Sequence, residues 1–178
     1  MWYLERPVIS QIREFLFLGN QLAAQNEGIL RAHGIKRVVS VVEQPSRMPS
    51  SELCEKLDLW HTNFRVMDDE FEDEAEELTS RVLPWISESE KSRQPILIHC
   101  HASVSRSPSL VIAYLIWRGL DFENALNLTS IHPSACPKPQ VLRSFIISAG
   151  FHFPERQYLI WHAKRVEFLH KYGETLSR

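Results

Sequence analysis

A cysteine and an arginine, Cys100 and Arg106, are separated by five residues and lie between two apolar stretches. Residues 95–99 predict a short buried β-strand, whereas residues 107–118 are apolar on nearly all sides and predict a buried helix. In a strand–loop–helix arrangement, the loop N–H groups and the positive end of the helix dipole face one concavity. Such a concavity suits an oxyanion, and it favours the thiolate form of Cys100 over the thiol.

The residue types in this segment suit phosphoryl transfer to sulfur. Arg106 offers a planar guanidinium that can bind two oxygens of a phosphate, and the thiolate is a nucleophile. We expect the backbone of the loop and Arg106 to bind the phosphate; the loop residues are His101, Ala102, Ser103, Val104 and Ser105. A Cys-x5-Arg pattern alone is weak, and its place between a buried strand and a buried helix makes it strong. The alternative for Cys100 is a buried structural thiol.

The preceding part of the chain predicts the scaffold of this loop. Residues 15–18 and 37–42 form apolar runs typical of strands, and residues 21–33 have helical spacing with Gly34 as the C-cap. Strand, helix and strand within about 30 residues make a βαβ unit. We therefore expect an α/β fold with a central, mainly parallel β-sheet flanked by helices. Residues 43–58 are polar and predict a loop.

Further elements follow the polar segment. Leu59–Val66 predicts a strand, and a helix should run through Leu78 and Ile86 with a kink or break at Pro84. After the apolar helix, the sequence predicts a helix capped by Asp121, one near Val141–Ser148 and an amphipathic one over Tyr158–Tyr172. We expect three aromatic residues of that last helix to cover the core: Trp161, Phe168 and Tyr172.

Composition narrows the class of protein. The 178 residues are 44% hydrophobic and 24% charged, which is typical of a globular domain. A net charge of −2 argues against nucleic-acid or membrane-surface partners, which need a basic excess. No apolar run approaches the ~20 residues of a membrane span, and no signal-peptide pattern opens the chain. Three cysteines predict no disulfide framework and a reducing compartment, cytoplasm or nucleus. We expect one domain over residues 1–178, monomeric by default.

The segment His99–Ser107 resembles the signature of cysteine-based protein phosphatases, His-Cys-x5-Arg-Ser/Thr, and most closely that of the dual-specificity phosphatases. The resemblance extends over a core of about residues 8–150 and leaves a C-terminal helical extension, about 155–178, unmatched. The stretches that carry it are Ile12–Gly19, Gly34–Val39, Ser109–Leu115, Glu123–Ala125 and His132–Pro137. It implies a catalytic domain that hydrolyses phosphotyrosine and phosphoserine/threonine esters of proteins through a phosphocysteine intermediate, without a metal or other cofactor.

The resemblance also assigns roles to individual residues. The nucleophile falls on Cys100 and the phosphate-binding arginine on Arg106. The hydroxyl that helps the sulfur leave falls on Ser107, and the supporting histidine on His99. The general acid falls on Asp68, with Asp69 as the runner-up. The alternatives for Asp68 are surface charge or acidic residues favouring a helix N-terminus, because eight of the ten residues from Asp68 to Glu77 are acidic.

Departures from the family pattern leave other functions open. Ser103 occupies the place of a glycine, His132 that of an arginine and Lys138 that of an asparagine. A non-glycine residue in such a loop costs about 1 kcal/mol where φ is positive. One alternative is therefore a pseudophosphatase that binds phosphoproteins as an adaptor. Another is a phosphatase acting on a non-protein phosphoester, which the absence of lysine and arginine from residues 101–105 disfavours.

Overall fold

A computed structural model describes residues 4–66 and 72–176. Five strands form one sheet in the order β1-β2-β5-β3-β4. Their bounds are β1 Ile9–Gln11, β2 Leu16–Gly19, β3 Arg37–Val41, β4 Trp60–Phe64 and β5 Ile96–His99. All neighbouring strands are parallel except β1, which pairs antiparallel with β2. The predicted α/β fold with a mainly parallel sheet is confirmed, whereas β1 has too short and polar a sequence to be predicted.

Helices cover both faces of the sheet. They are α1 Gln21–Ala24, α2 Glu27–Ala32, α3 Ser51–Leu57, α4 Glu72–Ser92, α5 Arg106–Trp117, α6 Phe122–Thr129, α7 Pro139–Ser148 and α8 Glu155–Leu176. Alternate residues of β5 enter different cores: Ile96 and Ile98 pack with the larger cluster, which includes α4, α5 and α7, whereas Leu97 packs with α2 and α3. Burial on both faces explains the unbroken apolar runs of the strands. Across the described part of the chain, no helix has the length and apolarity needed to span a membrane.

Three secondary-structure predictions need correction. The segment 21–33 forms two helices, because the side chain of Asn26 accepts a hydrogen bond from Ile29 N and starts a second helix. The predicted loop 43–58 contains a short 3₁₀ turn and α3, which is capped by Ser50. Helix α4 continues through Pro84 without a break. Because Pro84 is exposed, water can donate a hydrogen bond to the helix carbonyl group that proline, which lacks an N–H, leaves unpaired.

Helix α8 is longer than predicted and packs differently. Trp161 is partly buried against the core as expected, but Phe168 is 47% exposed. The ring of Phe168 lies instead against the guanidinium of Arg165, 5.1 Å from the ring centroid, and stacks on Tyr172. Tyr158 and Arg165 are the buried side chains of this helix among those described. The prediction that Phe168 covers the core is therefore wrong.

Candidate active site

The Cys100–Arg106 segment forms a tight loop between the carboxyl end of β5 and the start of α5. Cys100 is 3% exposed and Arg106 5%, while the side chains of His101, Ala102 and Val104 are partly exposed. Helix α5 has no side-chain cap at its N-terminus. The Ser105 hydroxyl, which stands at the capping position, accepts a hydrogen bond from Lys138 N instead, over 2.9 Å. The loop thus opens onto a helix N-terminus that no side chain closes.

Four consecutive carbonyl groups of the loop are bound from outside it. His101 O accepts from Gln21 N at 3.1 Å, and Val104 O accepts from Cys136 N at 2.8 Å. Between them, Ala102 O and Ser103 O accept from the Ser134 hydroxyl at 3.0 and 3.2 Å. Carbonyl groups turned outward leave the N–H groups of the same peptide units directed to the opposite side. Successive N–H groups on one side of a loop form an anion-binding concavity.

Ser103 adopts the left-handed conformation that its place in the loop requires, with φ of 53°. The side chain is fully buried and its hydroxyl donates to Gly19 O at the end of β2. A Cβ atom at Gly19 would lie 3.1 Å from Val8 O and from Leu97 Cδ1, so the strand end has little room for a side chain. The hydrogen bond of Ser103 therefore connects the loop to β2. It offsets part of the free-energy cost of a positive φ at a non-glycine residue.

Ser107 and Cys100 are in direct contact. The Ser107 hydroxyl is fully buried and lies 3.2 Å from Cys100 Sγ, to which it donates a hydrogen bond. A donor at this distance stabilises negative charge on the sulfur. Cys100 directly follows β5 and Ser107 is the second residue of α5, so the strand–loop–helix connection itself brings them together.

Arg106 is held by two groups from outside the loop. Its Nη1 donates to Val66 O at 2.9 Å and lies 3.3 Å from Glu43 Oε1. Glu43 follows β3, and β3 lies beside β5 in the parallel sheet. Because the carboxyl ends of parallel strands meet at one edge, this position could have marked Glu43 as a candidate, although sequence reasoning missed it. Val66 leads into the segment 67–71, where Asp68 and Asp69 lie outside the described residues.

His99 anchors the base of the loop as a neutral imidazole. The side chain is fully buried, and burial lowers the pKa of His99 to about 3. His99 Nε2 lies 2.6 Å from Ser40 Oγ, because His99 and Ser40 are register partners in β5 and β3. Ser40 Oγ in turn lies 2.9 Å from His61 Nε2, and His99 Nδ1 lies 3.3 Å from Cys100 O.

One arrangement of protons satisfies all three contacts of this pair of histidines. Cys100 O can only accept, so His99 Nδ1 carries the proton and His99 Nε2 accepts from the Ser40 hydroxyl. The oxygen of Ser40 is then available to accept from Nε2 of His61, whose pKa is also lowered by burial. Ser40 and His61 were not singled out in the sequence. The signal that identifies them is their place in the sheet, since Ser40 lies in β3, beside β5, and His61 lies in β4, beside β3.

Comparison with solved structures defines the class of this fold. The mouse putative dual specificity phosphatase complexed with zinc tungstate superimposes with a TM-score of 0.69, at 24% identity over 81% of this chain and 87% of that one. Human DUSP28 gives a TM-score of 0.68 at 23% identity, over 81% of this chain and 94% of that one. This chain therefore shares its fold with these solved phosphatase structures.

Sequence comparison then gives the family. Residues 16–146 match the family described as dual specificity phosphatase, catalytic domain. Dual specificity protein phosphatase 1 of Arabidopsis thaliana is 27% identical over 79% of this chain and 69% of its own length. Dual specificity protein phosphatase 12 of Rattus norvegicus is 32% identical over 70% of this chain, which spans 36% of the rat protein. The chain belongs to the dual specificity phosphatase family, whose members are cysteine-based protein phosphatases.

Proposed function

We propose that this chain hydrolyses phosphotyrosine and phosphoserine/threonine esters of proteins through a phosphocysteine intermediate formed on Cys100. The observation that carries the proposal is the outward binding of four consecutive loop carbonyl groups around a buried cysteine whose sulfur accepts from Ser107. That arrangement supports a phosphate-binding loop in which the N–H groups of residues 101–106 and the Arg106 guanidinium bind the three non-bridging oxygens. Tungstate is a tetrahedral oxyanion like phosphate, and the mouse fold neighbour is complexed with zinc tungstate.

In the first step, Cys100 Sγ attacks phosphorus, and the bond between phosphorus and the ester oxygen breaks. The leaving oxygen takes a proton from Asp68, for which Asp69 is the alternative. Without this proton an alkoxide would have to leave, and a positioned acid typically contributes ~10²–10⁴-fold. The N–H groups and Arg106 stabilise the negative charge that remains on the transferring phosphoryl group throughout.

In the second step, water attacks phosphorus, and the bond between sulfur and phosphorus breaks. The carboxylate of the acid takes the proton of the water, and the thiolate of Cys100 leaves. The Ser107 hydroxyl, which donates to this sulfur at 3.2 Å, stabilises the thiolate as it forms. His99 contributes by fixing the carbonyl group of Cys100 from a neutral, fully buried position.

The proposal is tested by hydrolysis of a small aryl phosphate from pH 4.5 to 8, in reductant and EDTA. Cys100→Ser should abolish turnover while the protein still binds inorganic phosphate, and Cys54→Ser is the matched control at a cysteine elsewhere in the fold. Asp68→Asn should slow turnover of the aryl phosphate and remove the alkaline limb of the pH profile. If Asp69→Asn alone has this effect, the general acid is Asp69.

Two results would overturn the proposed mechanism. A folded Cys100→Ser protein with wild-type turnover would exclude the phosphocysteine intermediate. A folded wild-type protein that binds a phosphopeptide but does not turn over any aryl phosphate would indicate a phosphoprotein-binding adaptor instead. Phosphotyrosine and phosphothreonine peptides, assayed in parallel with the wild-type protein, then test the dual specificity.

A further inference from the structure

The last helix, α8, lies beyond residues 16–146 that match the family, yet one of its side chains is buried at the turn formed by residues 132–138. Arg165 Nε donates to Ala135 O at 2.8 Å, and Arg165 Nη2 donates to His132 O at 2.8 Å and Pro133 O at 3.0 Å. Arg165 is 8% exposed. Within residues 4–66 and 72–176, no carboxylate lies at ion-pair distance from it, so these carbonyl groups are its polar partners.

The other side of the same turn supplies the hydrogen bonds that orient the phosphate-binding loop. The Ser134 hydroxyl and Cys136 N bind three of the four outward-turned carbonyl groups, and Lys138 N binds the Ser105 hydroxyl. A second residue of α8, Tyr158, donates from its hydroxyl to Pro137 O at 2.6 Å. The turn is therefore bound by α8 on one side and binds the loop on the other.

We propose that Arg165 is a positioning residue for the phosphate-binding loop, acting through the turn 132–138. The rigid planar guanidinium fixes three carbonyl groups, which sets the positions of the Ser134 hydroxyl and Cys136 N. These donors hold the loop carbonyl groups outward and hence the loop N–H groups inward. The expected effect of Arg165 on turnover rests on the proposed function, whereas its expected effects on anion binding and on alkylation of Cys100 do not.

The side chain of His132, within the turn itself, does not supply these hydrogen bonds. His132 is buried, and burial together with the charge of Arg165 lowers the pKa of His132 to about 3. His132 contacts Ser10 through Nδ1 and binds none of the turn carbonyl groups. A methionine at position 165 would remove the donor to Ala135 O and to Pro133 O, and one of the two donors to His132 O, which also accepts from Ala135 N. The turn would then shift so that these carbonyl groups reach water. A shift of about 1 Å at a reacting group can cost about 10²-fold in rate.

The test compares Arg165→Met and Arg165→Lys with Lys164→Met, an exposed neighbour on the same helix that removes a charge without touching the turn. Two readouts do not need turnover: the dissociation constant of inorganic phosphate, and the pH dependence of Cys100 alkylation by iodoacetamide, followed by peptide mass. We expect Arg165→Met to weaken phosphate binding at least tenfold and shift the alkylation midpoint upward. Arg165→Lys should lie between it and the wild type, because an ammonium keeps the charge but lacks the planar fork. Lys164→Met should match the wild type.

A general loss of stability is separated from positioning by Leu30→Ala, which weakens the core on the opposite face of the sheet. The Arg165 role is refuted if Arg165→Lys and any folded Arg165→Met bind phosphate within twofold of wild type with an unchanged alkylation profile. It is also refuted if Leu30→Ala, compared with an Arg165 variant of the same thermal stability, shows the same loss of phosphate binding and the same change in Cys100 alkylation. If the wild type binds phosphate but lacks turnover, the proposed function fails while these comparisons still decide the role of Arg165.

Discussion

Two imidazoles that are neutral in the folded protein should make it sensitive to acid. His99 and His132 are buried, and burial lowers the pKa of each from 6.5 to about 3. In the unfolded chain both imidazoles titrate near 6.5 and bind protons that the folded state does not take up. The contribution of these two histidines to the free energy of unfolding is therefore fully present above pH 6.5 and is lost as the pH falls from 6.5 towards 3.

The size of the loss follows from these pKa values. At pH 5.0 the unfolded chain carries nearly one extra proton at each of the two histidines, while at pH 7.5 it carries almost none. The free energy of unfolding should then fall by about 2 kcal/mol for each histidine between these pH values, or about 4 kcal/mol for the pair. This is a large share of the 5–15 kcal/mol typical of a domain.

Urea unfolding of the wild type and of non-titrating variants at pH 7.5 and 5.0 measures this loss. His132→Asn keeps a polar group near the Nδ1 position that contacts Ser10, and His99→Gln keeps a polar group near the Nε2 position that contacts Ser40. Each variant should lose about 2 kcal/mol less stability than the wild type on acidification, whereas His170→Gln, at an exposed residue, should not change the loss. Equal losses in all four proteins would refute the assignment of buried neutral imidazoles.

Two further predictions concern the loop. Ser107→Ala removes the donor to Cys100 Sγ, so breakdown of the phosphoenzyme should slow about tenfold or more. This slow step should appear as a burst in aryl phosphate hydrolysis, and a linear time course at the wild-type rate would contradict the prediction. Ser103→Ala keeps the positive φ but loses the hydrogen bond to Gly19, and should cost about 1–3 kcal/mol in thermal unfolding. Ser103→Gly also loses that bond but relieves about 1 kcal/mol of backbone cost, so it should be the more stable variant, and the reverse order would contradict this account.

The sequence was most informative where a local pattern carries its own physical consequence. Unbroken apolar runs predicted strands buried on both faces, and β5 has that burial. Pro108 near the start of the apolar run and Gly119 just after it marked α5, and Gly119 has the positive φ of a helix end, 93°. The Asp121 cap is present as well, since its side chain accepts from Asn124 N. These features depend on neighbours a few residues away, which a sequence displays directly.

Other parts of the site depend on residues that are far apart in the chain. Glu43 reaches Arg106 over 63 positions, and Ser40 reaches His99 over 59, because parallel pairing of β3 and β5 sets their register. No local pattern contains that register. No local pattern indicates that Arg165 contacts the turn at residues 132–135, because packing of α8 against the turn brings them together. The aromatic pattern of α8 suggested Phe168 as a core residue.

The amino-acid sequence by itself determined the α/β class and the strand–loop–helix around Cys100 and Arg106, whereas the contact of Ser107 with the sulfur was implied by the family resemblance. All of these lie within one continuous segment or follow from hydrophobic periodicity. Only the tertiary structure decided what holds that loop open to an anion: Gly19 at the end of β2, Gln21 at the start of α1, Ser134 and Cys136 from the turn, and α8 behind it. Hydrogen bonds that orient a loop are made by whichever elements the packing brings near it, and packing is a property of the whole chain.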